Sequence, residues 1–281
     1  MMMSHTHIHQ SASESLWISS ALILATLIYL RGLLRLHKHE HGKVEGWRAT
    51  SFGFGLLFIW FATASPLAQL DHELLTAHMV QHLLLMTLAP PLIFLGLPRK
   101  ALPYGPPHPV LCWLSAAGAL VVWHIPPVFM LGMRSQMWHG IEQACFLATG
   151  LLFWWPVFRP WPRDSKWSEP SILLYLFLAT LPCDILSGFL VFCDRVVYPV
   201  FLSSPRPFGL SALEDQQCAG ALMWTCVTIV YLIAGTIFTM HLLSPHRSHQ
   251  SQELARSEEV AIPQLDSRRI ADPHNVEMEV I

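Results

Sequence analysis

Residues 71–98 read DHELLTAHMVQHLLLMTLAPPLIFLGLP, and their chemistry does not match their hydropathy. The run is apolar enough to enter a bilayer, yet its leading end carries Asp71, His72, Glu73, His78, Met79, Gln81 and His82. Ionisable groups inside a membrane are costly and usually face a bundle interior, so each one asks for a function. His78 and His82 are four residues apart, which puts them on one helix face about 6 Å apart along the axis. Met79 and Met86 flank that face at helical spacing. Imidazole and thioether are copper ligands, and the softer thioether favours the cuprous state. The stretch therefore reads as one wall of a soft-metal site, and other parts of the chain must supply the remaining walls.

Those parts are membrane helices. The 281 residues are 53% hydrophobic and only 13% charged, against about a quarter charged in a soluble domain. Seven runs of about twenty apolar residues, each long enough to cross roughly 30 Å of hydrocarbon, lie near 16–36, 48–69, 75–97, 109–131, 138–158, 170–193 and 219–243. Sequential spans can satisfy their backbone groups only as helices, so the predicted fold is an all-α, polytopic membrane bundle. Residues 1–15 form a His-containing segment before it, and the polar tail 244–281 is predicted to be disordered. The first span has no basic leader and no small-residue cleavage site, and it reads as a retained helix. The net charge of −2 says nothing about a nucleic-acid partner, and no basic cluster is large enough to suggest one, so none is expected. Lys and Arg number three on one side and fourteen on the other, which predicts an extracytoplasmic N-terminus and a cytoplasmic C-terminus.

With that orientation, four spans bring unusual residues to one level near the outer surface. Span three supplies His72, His78 and His82, span four His124 in VVWHIPPVF, span five His139, Glu142 and Gln143, and span seven Asp215, Gln216, Gln217, Met223 and Trp224. His78, His82, Met79, His124 and His139 are the candidate metal ligands. His72, Gln81, Glu142, Asp215 and Gln217 are the candidate partners that hold the imidazole N–H groups and fix their tautomers. A site built on His78, His82, Met79 and His124 needs no carboxylate charge. His5, His7 and His9 in HTHIHQ lie on the same side and would capture metal loosely, or are simply polar. A lone buried histidine is also a common strut between helices. Met86, Met130, Met133 and Met137 suit packing.

The double prolines of LAPPLIFLGLP and WHIPPVF should kink or end helices. Asp184, in LPCDILSGF, fits helix pairing, proton carriage or a break in span six near Pro182 and Gly188. The six cysteines form no CxxC, although Cys193 and Cys218 border one loop and could pair. No nucleophilic triad, phosphate-cradling loop or HExxH occurs, so the chain is not expected to be an enzyme.

HMVQHLLLMTLAPPLIFLGLP (78–98) closely resembles the hallmark of the CtaG family of seven-helix cytochrome c oxidase assembly factors. VVWHIPPVF, WHGIEQACFLATGLLFWWPV and DQQCAGALMW resemble the family's later motifs in order and spacing, over roughly residues 48–243. The resemblance implies a multi-pass bacterial inner-membrane protein that helps mature a haem–copper oxidase by helping copper reach it. It is distinct from the single-span copper chaperones that share the name. The matching positions are His78, Gln81, His82, His124, His139, Asp215 and Gln217, while Gln143 stands where the family often has a second histidine. Expected partners are oxidase subunits, the lipid bilayer and a copper donor protein. Two rival readings are a haem-binding electron carrier, with histidines on facing helices, and a metal-free scaffold for oxidase subunits.

Overall fold

The computed structural model describes residues 3–40, 46–98, 108–158, 170–206 and 208–271. Among them there is no strand. The helices are α1 (Met3–Glu40), α2 (Gly46–Thr63), α3 (Leu67–Leu70), α4 (Leu75–His82), α5 (Ala89–Gly96), α6 (Pro109–His124), α7 (Pro126–Arg134), α8 (Gln136–Phe158), α9 (Pro170–Phe192) and α10 (Ala212–Ala271). Six stretches are long and apolar enough to cross a membrane, and a bent pair, Pro109–His124 with Pro126–Arg134, makes a seventh. They coincide with the seven predicted spans to within a few residues, except that the last begins at Ala212 rather than 219. Large exposed side chains such as Leu27, Leu111, Phe177, Ile185, Phe192 and Leu232 form the apolar exterior that lipid requires.

The chain divides into two compact units, 1–233 and 234–281. The second contains the part of α10 that ends at Ala271. Residues 244–271 of the polar tail lie in α10, and LARSEEV within it is rich in strong helix formers. The side chains of His5, His7 and His9, and residue 41 of the HKHEH run, lie outside the described residues.

Prolines shape the two elements that matter most. In span three, Pro90 and Pro91 lack the N–H groups that would bond carbonyls one turn back, and their rings crowd that turn. The helix answers with a π segment, Leu83–Leu88, before α5 restarts at Ala89. The Met86 carbonyl thus meets proline nitrogens in both the four- and five-residue registers, so neither register offers it a donor. Span four, expected near 109–131 with its double proline kinking or ending a helix, breaks there, turning by 77° between α6 and α7. Pro126 forbids helical geometry at the preceding residue, and Ile125 is extended (φ −65°, ψ 124°). α6 therefore ends at His124. Span six is not broken: α9 runs continuously through Pro182 and Gly188. All six cysteines are free, so Cys193 and Cys218 do not pair.

Small residues let the helices approach closely, as is usual where lipid offers no hydrophobic drive for association. At Gly150 of α8, an added Cβ would lie 2.7 Å from the Met86 carbonyl oxygen and 2.8 Å from its Cα. α8 thus sits directly on the backbone of the π segment. Ile59, Ala62, Leu85, Ala89, Ala119, Trp123 and Phe146 form the adjoining core. Tyr29 of α1 stacks on Phe52 of α2 (3.9 Å) and donates to the Gly96 carbonyl of α5 (2.9 Å). Gly150→Ala should force backbone apart from backbone and destabilise by ~1–3 kcal/mol. Thermal unfolding in detergent should show its midpoint several degrees below that of the parent.

Candidate metal centre

The histidine wall is built as its spacing requires. α4 presents His78 and His82 inward, at 0% and 6% exposure. Their Nε2 atoms lie 2.8 Å apart. The Glu142 Oε1 of α8 stands 3.5 Å from His78 Nε2 and 3.6 Å from His82 Nε2. Donors about 2.0–2.2 Å from a common ion can be at most about 4.4 Å apart, and all three separations meet that bound. Both Glu142 oxygens are buried without a hydrogen-bond partner. A buried carboxylate in that condition is costly unless a cation stands against it. The three side chains thus form a ready chelating triad. The Nδ1 atoms of His78 and His82 make no hydrogen bond either. Packing orients their rings, against Phe129 (4.9 Å) and Phe146 (4.0 Å) respectively.

Glu142 was expected to stand beside the ligands and hold their imidazole N–H groups, and its carboxylate lies against the two imidazole nitrogens. The bend in span four explains how. It lays α7 against α8, and Gly132 of α7 covers the Glu142 carboxylate. A Cβ on Gly132 would fall 2.7 Å from Glu142 Oε2.

His139 has both ring nitrogens on carboxylates: Nε2 is 2.9 Å from Asp71 Oδ2 and Nδ1 is 3.4 Å from Glu142 Oε2. Its geometry is that of a bridge between two acids as much as that of a ligand. Asp71, His78 and His139 form a second, looser triad, with ligand atoms within 4.8 Å of one another. Burial alone would raise the Asp71 carboxyl, but the hydrogen bond and charge of His139, with His72 and His78 nearby, hold it below the usual carboxylate range. Gln81 donates to Asp71 Oδ2 (3.3 Å), and the Gln143 amide lies 3.4 Å from Gln81 Oε1 and 2.8 Å from His139 Nε2. Gln143 thus joins the acid–imidazole network from the place where a second histidine was expected. His72 is exposed, 3.8 Å from Asp71.

Met79 and His124 meet each other rather than the triad: His124 Nε2 lies 3.3 Å from Met79 Sδ. His124 Nδ1 is held by the Leu120 carbonyl (2.7 Å). Tyr198, which sequence pattern did not single out, donates to the His124 carbonyl that the helix break leaves open (2.9 Å).

Asp215 does not touch an imidazole. Its carboxylate accepts from the backbone N–H of Leu75 (2.6 Å) and Thr76 (3.1 Å), while the Thr76 hydroxyl donates back to the Asp215 carbonyl (3.1 Å). Asp215 caps α4 from a helix 140 residues away and so fixes the histidine wall from outside. Gln217 is only half-buried. Its neighbour Gln216 is the buried amide, bonding Val197 N–H and the Leu190 and Arg195 carbonyls. Gln216 and Gln217 differ by a 100° change of helix face.

The space beside His82 and His124 is a cavity of about 50 Å³, and a larger apolar one of about 820 Å³ lies on the other side of His124, along α9.

Residues 27–245 match the family model of the cytochrome c oxidase caa3 assembly factors. The chain belongs to that family and is a multi-pass protein of the bacterial inner membrane. It is similar to an uncharacterized protein of Mycobacterium leprae, 22% identical over 255 residues that cover 78% of this chain and 38% of the relative. An uncharacterized protein of Mycobacterium bovis is 22% identical over 237 residues, covering 74% of this chain and 36% of the relative. The chain thus spans well under half the length of these relatives. No solved structure matches.

Two variants test the architecture. Gly132→Ala should displace the Glu142 carboxylate, because a side-chain end yields before two packed helices do. Metal affinity in a chelator competition should fall on the order of 10–100-fold, with helix content by circular dichroism unchanged. Asp215→Ala should remove the cap on α4 and cost about 0.5–2 kcal/mol. Its unfolding midpoint should drop, with Asp215→Asn falling between it and the parent.

Proposed function

We propose that this chain helps assemble a haem–copper cytochrome c oxidase by binding copper between His78, His82 and Glu142 and passing it to an oxidase subunit. The observation that carries the reading is the triad itself: three buried donors separated by 2.8–3.6 Å, with carboxylate oxygens that lack a hydrogen bond inside an apolar bundle. Imidazole with carboxylate suits a borderline ion such as cupric copper, and two imidazoles also serve the cuprous state. His139 and Asp71 compensate charge beside the triad, and Gln81 ties Asp71 to the histidine helix. Copper is cargo in this reading, and the chain is not a catalyst.

The Lys and Arg asymmetry supports placing this end of the bundle outside the cytoplasm. Copper centres built there need such access. The donor would be a separate copper-carrying protein on the same side, and the acceptor an oxidase subunit.

The metal-free scaffold is favoured by one observation, the direct His139–Asp71 pairing at 2.9 Å, which needs no ion. One comparison separates the two. Purified parent should bind copper, and the double variant His78→Ala, His82→Ala should lose that binding. A strain carrying the double variant should accumulate oxidase deficient in copper. Unchanged stoichiometry in the double variant, with full oxidase activity, would leave the scaffold as the function.

A further inference from the structure

We infer that the chain holds a second metal station, selective for a soft monovalent ion, in the cavity behind His82. The cavity, of about 50 Å³, is lined by Met79, His82, Met86, His124, Cys183 and Met223, together with apolar and aromatic side chains. A space that accepts a water needs only about 10–15 Å³, so there is room for one ion. Met86 lies eight residues, about two turns, beyond His78 along the span. Met79, Met86, Cys183 and Met223 line the cavity from three separate parts of the chain. No carboxylate lines it among the described residues, which sets it apart from the triad.

The hydrogen-bond chemistry points the same way. His124 Nδ1 faces the Leu120 carbonyl at 2.7 Å, and a carbonyl can only accept, so Nδ1 carries the proton. In the neutral ring, Nε2 therefore presents a lone pair. It faces Met79 Sδ at 3.3 Å, and a thioether has no proton to offer. Two buried lone pairs thus face each other, with Met79 at 0% and His124 at 5% exposure. A nitrogen at about 2.1 Å and a sulfur at about 2.3 Å from one ion can be at most about 4.4 Å apart, and 3.3 Å lies well within that reach. Neutral imidazole and thioether select cuprous copper over zinc or cupric ion. A single positive charge is also easier than two to place among neutral donors in an apolar span. The Tyr198 bond to the His124 carbonyl and the helix break after it fix this ring in place.

His82 belongs to both stations. Its Nε2 faces His78 and Glu142, its ring lines the cavity, and its centroid is 5.8 Å from that of His124. The direction of transfer between stations rests on the proposed function, but the existence of the second station does not.

The test is an anaerobic titration of the purified full chain with cuprous ion against bicinchoninate, in parallel with zinc, and X-ray absorption at the copper edge. The parent should bind two cuprous equivalents, one with sulfur scatterers. Met79→Leu with Met223→Leu, which conserves volume, should lose one equivalent and the sulfur signal while keeping zinc at the triad. His78→Ala with Glu142→Gln should lose zinc and keep the sulfur-ligated cuprous ion. An unchanged cuprous stoichiometry in the Met79→Leu, Met223→Leu protein, or a parent spectrum without sulfur, would overturn the second station. Loss of zinc alone in the His78→Ala, Glu142→Gln protein bears on the triad and leaves the second station standing.

Discussion

A carboxylate at 1% exposure within an apolar bundle cannot stand alone, and here there are two, Asp71 and Glu142. Removing a charge from water costs several kcal/mol even after the protein relaxes, and hydrocarbon offers nothing in return. Imidazoles provide the compensation. His139 lies across both acids, while His78 and His82 face Glu142. The compensation is incomplete, because the two oxygens of Glu142 have no hydrogen bond. Much of the surrounding structure can be understood as holding three helices close enough, and in the right phase, for this cluster to persist.

Proline provides part of that control. A break at Ile125 ends α6 at His124 and swings α7 over Glu142, and the same break frees the carbonyl that Tyr198 takes up. Glycine provides another part, at Gly132 over the carboxylate and at Gly150 against the π segment. Asp215 closes the arrangement from α10. The cluster is thus positioned by backbone devices lying on four different helices, and the imidazoles themselves are oriented largely by aromatic edges.

How much of this the sequence discloses depends on the kind of signal. Runs of about twenty apolar residues disclose the spans, because bilayer thickness leaves little choice. The i, i+4 pairing discloses the wall of His78 and His82. Glu142 was legible as a neighbour of the histidines, but not its exact place, which depends on a 77° bend whose size no local pattern states. Asp215 was legible as polar and close to the right level. Its actual task, capping α4, joins residues 140 positions apart and so has no local signature. Tyr198 and Cys183 carried no signal, being single residues whose meaning comes only from what packs against them.

The π segment at Leu83–Leu88 has a consequence for how the chain could change. A π turn amounts to one residue more than an α-helix would need over the same rise. Relaxing the segment to plain α geometry with the residue kept would rotate everything upstream by about 100° relative to everything downstream. α5 is locked to α2 and α1 through Tyr29 and the Gly55 and Gly96 approaches, so the upstream half would have to turn. His78 and His82 would then swing out of the bundle together. The wide turn absorbs the surplus residue between the half of the helix that anchors and the half that binds, and so keeps the two in phase.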